Sequence, residues 1–124
     1  KKMRKQGYSF TSVINPDAVV APDVSLDEGA QIMAGAVIQP GTTIGKDSII
    51  NTGVLIDHDC KIAENCHLAP GVVCSGGVII GSNTHLGTGT IVIEYRSIGS
   101  DCTVAAGSVV YKDIPDGTTL IQTE

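Results

Sequence analysis

Asn51–Ile62 reads NTGVLIDHDCKI, with two large aliphatics six residues apart, Ile56 and Ile62, and two small residues at the same interval, Val54 and Cys60. Neither the helical period of about 3.6 nor the strand period of 2 puts a large and a small residue at fixed places in every six. Followed outward in both directions, the interval runs without gap or insertion from Ile14 to Val110. The large series is Ile14, Val20, Leu26, Ile32, Ile38, Ile44, Ile50, Ile56, Ile62, Leu68, Cys74, Ile80, Leu86, Val92, Ile98, Val104 and Val110, aliphatic at every place but Cys74. The series four residues later, from Ala18 to Ile114, is small except at Arg96 and Ile114.

A short strand followed by a tight corner produces this pattern. Pro16, Pro22, Pro40 and Pro70 fall two residues after the large position, where a missing N–H costs no ladder bond, so that phase is the corner. If each hexad is one side of a three-sided coil, eighteen residues complete a turn, and residues 13–114 give between five and six coils. Successive coils stack as parallel strands about 4.8 Å apart. Arg96 cannot fit inside a corner and is expected to swing outward.

The same register predicts that Cys60, Cys66 and Cys102 occupy the small site and Cys74 the large one, all pointing inward. Cys66 and Cys102 share a column two coils apart, about 9.6 Å on that spacing and beyond disulfide reach. Buried structural thiols are expected. Ile49, Leu55, Ile79 and Ile91 precede the large position and are expected to face outward, which favours a cyclic homo-oligomer.

The composition agrees with a small-residue core: 42% hydrophobic, 15 Gly, one Phe and no Trp in 124 residues. A net charge of −5 argues against nucleic acid or an anionic membrane as a partner. Only the opening KKMRK is basic, and with Gly7 after it this stretch reads as the last turn and stop of a helix. No apolar run spans a membrane, and no apolar segment follows the basic start as a secretory signal requires. A cytoplasmic location is expected.

The chain has three histidines. His58 lies at the corner phase, with Asp59 beside it to set its tautomer and hold the imidazolium formed when it takes a proton. On spacing alone it is equally a polar corner residue with no chemistry. His67 and His85, eighteen residues apart, are expected to stack on one outer face in adjacent coils. His58 and His67 fall on different sides of one prism, but a cleft between subunits of a threefold assembly could join them.

The hexad pattern resembles the hexapeptide-repeat family, which implies a left-handed parallel β-helix. Within it, IINTGVLIDHDCKIAENCHLAPGVVCSGGVIIG (49–81) and VAAGSVVYKDIPDG (104–117) resemble the sialic acid O-acetyltransferase and nucleotide-amino-sugar N-acetyltransferase family. The resemblance implies a homotrimer with active sites between subunits, transferring acetyl from acetyl-CoA to the amine of a nucleotide-linked sugar of the UDP-4-amino-sugar type. It implies His58 as general base, Asp59 as its orienter, Asn51 at the acceptor sugar, and His67 near both acceptor and thioester. Gly76 matches a backbone amide facing the acetyl carbonyl, and Ala106 and Gly107 fall where pantetheine runs. Direct transfer in a ternary complex is expected, because no serine or cysteine is placed to carry the acetyl group.

Three other readings stand beside this one. O-acetylation of sialic acid or another sugar hydroxyl needs the same base and donor groove. A non-catalytic trimerisation module has no need of His58, Asp59 and Asn51. A zinc hydratase of the same repeat class carries two histidines a few residues apart, whereas the gaps here are 9 and 18, so no metal is expected. Relatives also carry a small α/β sugar-binding domain before the prism, and residues 1–12 read as the helix or linker that ends it. Residues 13–114 read as the β-helix domain and 115–124 as a tail. IEYRSIG (93–99) replaces the more usual Pro-Gly turn.

Overall fold

A computed structural model describes residues 11–122. The basic stretch read as a helix end, with Gly7 after it, lies outside these residues. From Val13–Ile14 to Val109–Val110, two-residue strands recur every six residues and pair in parallel with the strand one coil on. They form the three faces of a left-handed β-helix of about six coils. The first face contains Ile49–Ile50, His67–Leu68 and His85–Leu86; the second contains Leu55–Ile56 and Val73–Cys74; the third contains Lys61–Ile62 and Ile79–Ile80.

The large residue of each hexad fills the prism. Every one from Ile32 to Val110 is buried, and only the first coil is open, with Ile14 46% exposed. The small residue sits inside the corner, where its polar atoms complete the backbone pairing. Thr84 Oγ1 donates to the Gly99 carbonyl at 2.7 Å and accepts the Cys102 N–H at 3.2 Å; Ser48 Oγ does the same with Ala63 and Cys66. Cysteine substitutes for these hydroxyls, as the Cys60 and Cys66 thiols point at the Ser75 and Gly81 carbonyls. All four cysteines are free and buried. Burial pushes the Cys60, Cys66 and Cys74 thiols upward, away from the thiolate. Arg96 turns outward and donates from Nε to the Glu94 carbonyl, so its corner alone lacks a small filler.

From Gly29 onward, each corner of the regular repeat places one residue in the left-handed region. That phase is glycine, aspartate or asparagine at every place from Gly29 to Gly107, except for Tyr95.

The repeat changes register at its end. Regular partners are eighteen residues apart, as in Ile80 with Ile98, but Ile98 bridges Ile114 and Thr103–Val104 pairs with Thr119–Leu120, sixteen apart. The last coil is thus two residues short. Ile114, a misfit in the small series, takes a large inward place, and residues 115–122 supply a further strand rather than a tail.

On the second face the outward column is wholly aliphatic: Val19, Val37, Leu55, Val73, Ile91 and Val109, with Leu55 46% and Ile91 42% exposed. Ile79 of the third face is also exposed, whereas Ile49 is half-buried. No helix among the described residues is long and apolar enough to cross a membrane.

Candidate functional site

The corner between the second and third faces carries His58. Its backbone is held from both sides: its N–H donates to Asp57 Oδ1 at 2.7 Å, and its carbonyl accepts the Gly77 N–H of the next coil at 2.9 Å. The following residue, Asp59, has φ 56°, a conformation aspartate tolerates better than most residues. This leans its carboxylate back over Gly41 in the preceding coil, where any Cβ would collide with it. From there Asp59 Oδ2 lies 3.1 Å from His58 Nδ1. A proton on Nδ1 donates to the carboxylate and leaves Nε2 with a free lone pair. The pair is solvent-exposed, so water screens it and it contributes little stability; its effect is to orient the ring.

The ring lies on Gly76, one coil further on. A Cβ at Gly76 would stand 2.6 Å from His58 Nε2 and 2.7 Å from Cε1, so only glycine leaves the imidazole there. Gly76 is buried, and its carbonyl accepts the Tyr95 N–H at 2.9 Å, but its own N–H finds no acceptor among the described residues. The N–H at this corner phase also lacks an acceptor at Glu64 and Ser82, so what sets Gly76 apart is the ring lying against it, which puts an open donor beside a ring nitrogen. A groove of ≈ 200 Å³ on the second face, lined by Val37, Leu55, Asp57, Val73 and Ser75 among others, borders this corner.

The first face holds a second group. Asn51 Oδ1 accepts the Thr52 N–H at 2.7 Å, and its Nδ2 lies 3.2 Å from His67 Nε2. His67 and His85 stack, with ring centroids 4.7 Å apart and planes at 21°, as their eighteen-residue spacing predicts. Burial, and then the neighbouring His85, hold the His67 imidazole below its usual range, so it is neutral and accepts from Asn51. No three His, Cys, Asp or Glu side chains converge among the described residues as a metal cage requires.

Ala106 and Gly107 lie on the third edge, between the first and second faces. There Gly35, Gly53, Gly71, Gly89 and Gly107 follow one another in the left-handed conformation, leaving a track of exposed backbone. One chain therefore brings His58, Asp59 and Gly76 together, and Asn51 and His67 together, but does not join the two groups to each other or to Ala106 and Gly107. Sequence reading missed the seat of Asp59 on Gly41 and that of Tyr95 on Gly77. Both were available as eighteen-residue intervals in the one phase that is otherwise glycine or a short polar residue.

Residues 20–115 match the family described as the GMPPB C-terminal domain. No curated protein matches the chain. Among solved structures it is similar to a histidine-to-alanine mutant of GDP-perosamine N-acetyltransferase from Caulobacter crescentus, in complex with CoA and GDP-perosamine. The two share 44% identity over 98% of this chain and 58% of that one, with a TM-score of 0.96. It is also similar to the acetyltransferase domain of PglB from Neisseria gonorrhoeae in complex with acetyl coenzyme A: 36% identity, 95% and 62% covered, TM-score 0.90. A third likeness is to WeeI from Acinetobacter baumannii: 27% identity, 98% and 59% covered, TM-score 0.92. The chain thus spans less than two thirds of the length of each of these relatives.

Proposed function

The chain belongs to the GMPPB C-terminal domain family of hexapeptide-repeat prisms, and from that footing and its likeness to sugar N-acetyltransferases we propose that it transfers acetyl from acetyl-CoA to the amine of a nucleotide-linked amino sugar. The observation that carries this reading is the His58 ring, clamped by Asp59 at one nitrogen and presented by the other beside the unpaired Gly76 N–H.

The steps follow from those groups. The neutral His58 Nε2 takes a proton from the sugar ammonium or from the amine as it attacks, and Asp59 holds the resulting imidazolium. The amine adds to the thioester carbonyl, whose oxygen gains charge and is met by the Gly76 N–H. Collapse of the tetrahedral intermediate breaks the C–S bond and expels coenzyme A as thiolate, which takes the proton from the His58 imidazolium and restores the neutral base. No covalent acyl-enzyme is required: all four thiols are buried, and burial keeps those of Cys60, Cys66 and Cys74 away from the nucleophilic thiolate.

Asn51 and His67 take the acceptor sugar, and the Ala106–Gly107 edge carries the pantetheine arm. Because the His58 corner lies on a different edge of the prism from both of these groups, we place the complete site between subunits of a homotrimer. The exposed aliphatic column of the second face supplies the contact. Reduced, buried cysteines suit the cytoplasm.

The family resemblance implies a UDP-linked sugar, whereas the 44% identical relative is bound to a GDP-linked one, so both nucleotides belong in the test. Purified protein is given acetyl-CoA with GDP- and UDP-linked 4-amino sugars and with sialic acid, and free thiol is followed. Thiol release and an N-acetylated product with one of the amino sugars are expected. Acetylation of sialic acid alone would replace this reading with O-acetylation. Coenzyme A binding with no transfer to any sugar would contradict it.

A further inference from the structure

Tyr95 has φ 57°, a left-handed backbone that a bulky side chain adopts only at a cost, and it is 67% exposed, so burial does not repay that cost. Strain kept where glycine or asparagine would serve points to a use for the side chain. The ring is seated on Gly77: its Cδ1 and Cε1 occupy the space a Cβ there would need. Gly76, the residue before, carries the His58 ring and the unpaired N–H. Two adjacent glycines thus support two rings, His58 from the coil before and Tyr95 from the coil after.

The order along the prism axis tells which substrate Tyr95 faces. Asn51 precedes His58, Gly76 follows His58 by one coil, Tyr95 lies a coil beyond, and Ala106 and Gly107 come later still. In the functional reading above, on which this inference rests, the acceptor is met at the level of Asn51 and the donor runs from Gly76 toward Ala106. Tyr95 falls within the donor's span. We propose that Tyr95 is a donor-positioning residue, its ring fixed on Gly77 as a wall against which the amide-bearing arm of coenzyme A lies while the thioester carbonyl meets the Gly76 N–H. A flat ring against methylene and amide groups contributes area and a fixed distance at little entropic cost.

The test compares Tyr95→Asn and Tyr95→Phe with the wild-type protein. Asn65 and Asn83 hold the same backbone at φ 56° and 59°, so asparagine removes the ring without distorting the corner. Coenzyme A binding is measured by calorimetry, KM for acetyl-CoA and for the acceptor by thiol release, and Tm by thermal melting. Tyr95→Asn is expected to bind coenzyme A about tenfold more weakly and to raise KM for acetyl-CoA by a similar factor. Its acceptor KM stays unchanged and it melts at or above the wild-type temperature, while Tyr95→Phe binds like wild type. Equal affinity in Tyr95→Asn, or a lowered Tm accompanying the loss of affinity, overturns the assignment. A wild-type protein that binds no coenzyme A overturns the functional reading and this assignment with it.

Discussion

The His58 imidazole lies on the bare Cα of Gly76, its Nε2 2.6 Å from where a Cβ would stand. Gly76 does not have a positive φ, so glycine is needed here for space and not for backbone freedom. Gly76→Ala is therefore expected to fold as the parent does but to push the ring off its seat. Displacement of a base by about 1 Å costs on the order of 100-fold in turnover. Steady-state kinetics paired with a melting curve checks this; normal turnover would show that the ring's position is immaterial.

Asp59→Asn keeps a residue that accepts the left-handed backbone and removes the charge that faces His58 Nδ1. The fold and Tm are expected to hold, because the ion pair is exposed. Turnover is expected to fall by about tenfold or more as the imidazolium loses its partner. Circular dichroism and initial rates on the same preparation separate these effects.

Much of this was open to reading in the sequence, because a prism repeats its environment every six residues. The large and small series named the core, the inward cysteines, the stacking of His67 on His85 and the outward turn of Arg96. The end of the prism was not open in the same way. A two-residue shortening after Val110 keeps each residue type plausible, and Ile114 in the small series was its one visible sign. The contact between Asn51 and His67 was also hidden, since their sixteen-residue offset joins a corner to a neighbouring strand and depends on side-chain reach. IEYRSIG (93–99) stands out in the sequence as an unusual turn, but the seat of Tyr95 on Gly77 follows only from the left-handed backbone.

The His67 imidazole is held below its ordinary value of 6.5, so the unfolded chain takes up a proton before the folded one does as pH falls. This group's contribution is complete above that value and is lost as the pH drops toward the depressed one. Protonation also ends acceptance from Asn51 at Nε2. NMR titration is expected to place the His67 midpoint below 6.5, and thermal stability to decline on acidification less steeply in His67→Gln. A midpoint at or above that value would contradict the burial argument.

Thr84 is fully buried with its hydroxyl engaged on both sides, donating to Gly99 and accepting from Cys102. Thr84→Val preserves the shape and leaves a partly buried carbonyl and a buried N–H unpaired, at about 2 kcal/mol. Denaturant titration should show that loss with an unchanged m-value, while Thr84→Ser stays near the parent.

Turnover by His58→Ala tests the central claim most directly, with acetyl-CoA and the accepted amino sugar both saturating and coenzyme A affinity measured alongside. The base assignment predicts a fall in kcat of about 10² to 10⁴ with coenzyme A binding retained. Wild-type kcat in the variant would contradict it.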